Sequence, residues 1–257
     1  MSDSRRQILV IATAIAQSVA PAMPALGIGI SVGARDGAAS PLEVPAGYAF
    51  SIWGVIFLLG LIYAVMQALP SAKENSLYRD IGTKAWMLFG LSTAWMVVAQ
   101  LNGPNVILAV IIVVMLVIAI RIIVTARDDR GDTGRLIIIP LFGLYAGWLT
   151  LATALNISGV LRDFDIAPFG LPDWQYASGV LLAAALVAIP VLRRLRSLIW
   201  YAAAAIWGLV AVIVKDLPMG PPEGYVGVVA GGIVLVLLFI VASYGRTKNR
   251  EPDYPFE

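Results

Sequence analysis

At 257 residues, 60% apolar and 13% charged, with a mean hydropathy of +0.86, the chain is too greasy for a water-soluble domain of its length. Its net charge of +2 gives no nucleic-acid signal. With no Cys and no His, disulfides, thiolate nucleophiles, iron–sulfur clusters, the usual haem ligand and the usual proton shuttle are excluded.

Cutting the sequence wherever a long apolar run breaks predicts eight spans, near 7–32, 47–69, 85–101, 106–124, 136–157, 176–192, 198–214 and 226–243. Each can cross roughly 30 Å of hydrocarbon, the shorter ones by letting flanking residues snorkel. The fold class is therefore all-α, a polytopic integral membrane helical bundle of about eight transmembrane helices. The first span follows Ser4, Arg5 and Arg6 and passes small residues at Ala20 and Ala22, a pattern that also suits a secretory signal. Because the uncharged run continues past Pro21 and Pro24 to Ala34, longer than a signal core, the expectation is a retained helix kinked by its prolines. In the second span Phe50, Trp53 and Phe57 fall at i, i+3 and i+7, one aromatic stripe starting at the membrane boundary. The third span carries Trp95, and the fourth ends near Arg121, which can snorkel. A mixed-charge hairpin at 127–135 is expected to be solvated. In the fifth span Tyr145, Trp148 and Ala152 share a face. Trp148 sits mid-span, where an indole N–H needs a partner, so an interior or a pocket suits it better than lipid. The last three spans are rich in Ala, Val, Leu and Gly and offer neither an ion path nor a proton relay. The tail at 246–257 is expected to be disordered.

Charge orders the spans. With the N-terminus placed inside, 15 of the 18 Lys and Arg lie in cytoplasmic segments, and only Arg35, Arg162 and Lys215 lie outside, together with seven of the 16 carboxylates. This is the positive-inside asymmetry, which puts both termini in the cytoplasm and suits a bacterial inner membrane. Basic residues spread over short loops beside lipid headgroups identify no partner beyond membrane lipids.

Polar groups within the membrane are few. For Gln17, Gln67, Gln100 and Asn156 the expected role is an interhelical hydrogen bond. Gly29 with Gly33, and Gly143 with Gly147, are small-xxx-small pairs that permit close helix approach. Lys215 adjoins Asp216 and Pro218 at a boundary, which argues against a mid-membrane Schiff base. The carboxylates lie in loops without paired spacing, so no catalytic residue, no metal site and no enzyme activity is expected. No basic residue follows Tyr145 within reach, so no cholesterol-recognition pattern is present.

Residues 144–156 read LYAGWLTLATALN. Tyr145, Trp148, Ala152, Thr153, Leu155 and Asn156 have the spacing found in the last helix of the tryptophan-rich sensory protein family, also called the translocator protein or peripheral benzodiazepine receptor family, which this chain resembles. Pro45, Phe50, Ile52, Trp53, Gly54 and Phe57 resemble the family's second helix, and Trp95 resembles the Trp of its third. The chain departs from the family at Ser51, where Pro is usual, at Ser92, where Asn is frequent, and at 96–100, where a Phe-rich stretch is replaced. The resemblance covers 1–165, implying a five-helix core; 166–245 holds three additional helices to which it assigns no role, expected to cover one side of that core or to present a lipid-like surface to a partner.

The resemblance implies a receptor or binding protein for a flat, largely apolar ligand, with a tetrapyrrole such as a porphyrin as the leading candidate, acting in sensing, sequestration or transport. The implied ligand-binding residues are Phe50, Trp53, Trp95, Tyr145, Trp148 and Asn156. No cofactor is required, and a porphyrin or another apolar pigment or lipid is the expected guest. Read without the resemblance, the aromatic stripes equally suit helix packing or an interfacial belt. A homodimer or a larger membrane complex, with this chain as an accessory subunit, stays open, as does a small-solute transporter.

Overall fold

The computed structural model describes residues 2–35, 40–72, 75–127, 132–166, 170–194 and 199–248. Among them are eight helical segments long and apolar enough to cross a membrane, three of them lengthened by adjoining 3₁₀ turns to Asp3–Leu26, Gly47–Ala68 and Ile199–Met219; their α-helices are α1 (Asp3–Val19), α2 (Ile52–Ala68), α3 (Ser76–Gln100), α4 (Asn105–Arg127), α5 (Asp132–Asp163), α6 (Asp173–Arg194), α7 (Ile199–Asp216) and α8 (Tyr225–Lys248). The protein is a polytopic helical membrane bundle. Residues 128–131 of the 127–135 hairpin and 249–257 of the tail lie outside the described residues.

The first span differs from expectation. A proline has no N–H to give to a helix, and from Ala20 to Leu26, across Pro21 and Pro24, the chain tightens into a 3₁₀ helix that ends at Gly27, φ +76°. Gly29 and Gly33 therefore lie beyond the helix and form no helix-packing pair. Gly29 instead lets the chain cross the end of α3, since a Cβ there would lie 2.3 Å from the Gln100 carbonyl oxygen. α3 begins nine residues before the expected start, with the Asn75 side chain capping the Leu77 and Tyr78 amides. At 1.5 Å per residue the 32-residue α5 is about 48 Å long, well over the hydrocarbon thickness, so its last turns carry Ser158 and Arg162 to the membrane boundary.

α5 is the centre of the bundle. In its most apolar stretch 78% of residues are buried, against 22–44% in the other seven spans. It packs on α2, α4, α6 and α7, while α1 lies on α2 and α3, and α8 lies on α6 and α7. Gly147, one of the glycines singled out above, brings α5 and α7 together: a Cβ there would lie 2.1 Å from the Tyr201 carbonyl oxygen. One turn on, the hydroxyls of Thr150 and Tyr201 meet at 2.7 Å inside this contact.

The outward faces stay apolar. On α2 Val55, Leu58, Ile62 and Val65 are all exposed, an i, i+3, i+7, i+10 stripe that only hydrocarbon solvates without penalty. The four amides each bridge elements, as expected, three of them buried and Asn156 half-buried. Tyr145 donates to Gln17 at 2.5 Å, Gln7 and Gln67 exchange bonds between α1 and α2, Gln100 donates to the Ala20 carbonyl, and Trp95 donates to Asn156 at 3.3 Å. Arg121 is exposed near the end of α4, where it can snorkel.

Candidate functional site

Between α3 and α5, at the cation-poor end of the bundle, lies a cavity of about 110 Å³. It is closed over by the irregular segment that joins the first two spans, including 3₁₀ turns at Val32–Ala34 and Gly47–Ser51. Gly33 and Gly47 let these turns touch, since a Cβ on either would lie 2.9 Å from the other's carbonyl oxygen. Pro41 and Pro45 bracket a turn in which Leu42 and Glu43 point inward and are buried. A glutamate reaches the membrane boundary here because its partners come from α5.

Four of the six residues implied as ligand-binding line this cavity: Phe50, Trp95, Trp148 and Asn156. The other two stand behind them. Trp53 is the hub of the aromatic cluster, with ring centroids 5.3 Å from Phe57, 5.8 Å from Tyr145, 6.2 Å from Trp95 and 6.3 Å from Trp148. Its indole nitrogen is buried and has no hydrogen-bond partner among the described residues. Tyr145 lies deeper, fully buried, with its hydroxyl committed to Gln17. Phe50 meets Trp148 edge-on at 5.6 Å and also borders an open crevice of about 380 Å³ that includes Trp53, Met96 and Gln100. Phe50 and Val32 thus form a partition between the inner cavity and the outer crevice.

The outer end of the cavity is polar. Glu43, 1% exposed, accepts from Arg162 through both oxygens at 3.1 and 3.0 Å and from the Ser158 hydroxyl at 2.6 Å. The Arg162 guanidinium also meets Asp173 at 2.9 Å and lies over the Tyr176 ring at 4.7 Å. Arg35 donates to the Gly103 carbonyl and to Asn105, whose amide donates to Asp163. Lys215 donates to the carbonyls of Pro41 and Val44, clamping the turn to the end of α7. Asp216, fully buried, lies 3.5 Å from the Lys215 ammonium, and its oxygens accept no hydrogen bond among the described residues. Glu43, though it lies in a loop, is buried in a bidentate pair with Arg162 that its position in the sequence does not announce. One signal in the sequence bears on this. The three cations that break the positive-inside pattern, Arg35, Arg162 and Lys215, are those that tie this end together.

α7 contributes to the cap as well. Trp207 donates to the Ala49 carbonyl at 2.8 Å and packs edge-on against Tyr48, and the Ala46 amide meets the Ala211 carbonyl. The arrangement offers an aromatic wall and a polar end, which are features of a binding site.

The family described as TSPO-like protein matches residues 7–244. That match runs past the five spans in which the resemblance was legible and through α6, α7 and most of α8. No curated protein and no solved structure matches the chain. With the match extending over nearly the whole sequence, the chain belongs to the TSPO-like protein family.

Proposed function

We propose that the protein binds a flat, largely apolar ligand in the capped cavity, with a porphyrin as the leading candidate, and acts in sensing, sequestering or moving it. The observation that carries this reading is the convergence of Phe50, Trp95 and Trp148, from three separate elements, on one cavity whose far end holds Asn156, Glu43 and Arg162. Aromatic faces favour a planar guest by stacking, and the polar end suits a ring that carries hydrophilic substituents at its edge.

Size adds a condition. Ligand sites commonly measure about 300–1,000 Å³, and the inner cavity holds about 110 Å³, so a macrocycle enters only if the partition at Phe50 and Val32 shifts and joins the cavity to the crevice beside it. No catalytic step is proposed, because Glu43, the carboxylate facing the cavity, is neutralised by Arg162 and held by Ser158.

Mass spectrometry of the purified full-length protein tests the reading. A planar pigment retained in stoichiometric amount supports a binding protein. A second membrane protein retained in stoichiometric amount, with no small molecule, supports an accessory subunit instead.

A further inference from the structure

The opposite face of α5 borders a second concavity. Seven residues between Trp148 and Arg162 line the capped cavity, whereas Thr150, Thr153, Ala154, Ile157, Ser158 and Leu161 line a crevice of about 370 Å³ between α4, α5 and α6. A helical period of 3.6 residues puts these two sets on opposing sides, so the crevice is separate from the aromatic site. It exists because α6 presents small residues there, Gly179, Ala183 and Ala184. A Cβ added at Gly179 would meet no atom within 4 Å.

Two observations identify the guest. The walls are almost wholly hydrocarbon, and they lie within the spans α4, α5 and α6, where the solvent is lipid tails. The connection above the crevice, between α5 and α6, carries Asp163, Asp165 and Asp173 against the single cation Arg162. Asp173 is half exposed at the start of α6, with Leu171, Gln175 and Tyr176 beside it on the crevice wall. Such a mouth attracts a cationic group and repels a purely anionic one.

We propose that this crevice holds one acyl chain of a phospholipid from the leaflet at the cation-poor end, with the ammonium of a phosphatidylethanolamine headgroup beside Asp173. The chain fills the gap between α4 and α6, and the headgroup supplies the counter-charge that Arg162, already shared between Glu43 and Asp173, leaves unmet.

The full-length protein, reconstituted in equal parts phosphatidylethanolamine and phosphatidylglycerol and then released from detergent for native mass spectrometry, gives the test. The wild type should retain phosphatidylethanolamine over phosphatidylglycerol by at least threefold. Gly179→Leu, whose new side chain enters open space, should lower retained lipid at least threefold with an unchanged melting temperature. Asp173→Asn should bring the two lipids towards equal retention. Equal retention of both lipids by the wild type would overturn the proposal, and so would undiminished retention by a folded Gly179→Leu protein. Should Gly179→Leu fail to fold, Ala183→Val is read by the same criterion. Porphyrin binding at the other face of α5 is scored separately, so either assignment can fail without the other.

Discussion

Glu43 is where a single side chain carries most strain on the site if altered. It is buried at the membrane boundary with two hydrogen bonds from Arg162 and one from Ser158, and removing its charge leaves the partly exposed guanidinium with Asp173 as its one remaining ion-pair partner among the described residues. Glu43→Gln should therefore lower stability by roughly 1–2 kcal/mol, read as a drop in the thermal midpoint in detergent. A change within experimental error would mean that Asp173 alone neutralises the guanidinium. In the sequence this pair was not legible. A glutamate between prolines in a short outer segment reads as solvated, and its partner is 119 positions away, a separation that no local pattern reports. The aromatic residues were legible because helical spacing puts them on common faces. Tyr145 and Trp53 nevertheless sit behind the cavity wall, since depth within a bundle depends on which neighbours arrive, and a helical wheel does not contain them.

Among elements, α7 and the segment before α2 act together. Lys215 holds two carbonyls of the 41–44 turn, Trp207 holds the Ala49 carbonyl, and Gly147 lets α7 lie directly on α5. Lys215→Met should release the turn while sparing the helices, and the expected result is faster association of porphyrin and faster proteolysis of residues 40–46 with little change in helix content. Unaltered rates would show that Arg35 and Arg162 suffice to hold the cover. A chain ending near Pro172 would lack the contacts that Lys215 and Trp207 make with the 41–49 segment, and a loss of stability is expected of it. Element boundaries failed in the sequence at identifiable places. Arg79, Asp80 and Lys84 broke the apolar run that would have shown the start of α3, and the paired prolines after Val19 hid a change from α to 3₁₀ geometry rather than a simple kink.

At the scale of the whole molecule, eight spans were readable from hydropathy, because each span must satisfy its own backbone and hydrocarbon tolerates few ions. What pattern alone did not supply was the central place of α5, where Gly147 admits the Tyr201 backbone of α7 and Gly208 of α7 admits Leu151 and Trp148 of α5. The 15-to-3 partition of Lys and Arg predicts that reporter fusions after Ser71, Asp129 and Arg194 lie in the cytoplasm and fusions after Pro41 and Asp165 lie outside. An inverted pattern would place the capped cavity on the cytoplasmic side.

The central claim is that the aromatic cavity binds a planar apolar ligand, and an equilibrium titration of the detergent-solubilised protein with protoporphyrin tests it most directly, followed by tryptophan quenching and by the porphyrin absorbance band. Saturable binding near one ligand per chain is expected, weakened at least fivefold by Trp148→Ala in a protein that stays folded, from losing about 1 kcal/mol of aromatic contact. Non-saturable quenching in the wild type, or equal affinity in a folded Trp148→Ala protein, would contradict it and return these aromatic residues to helix packing.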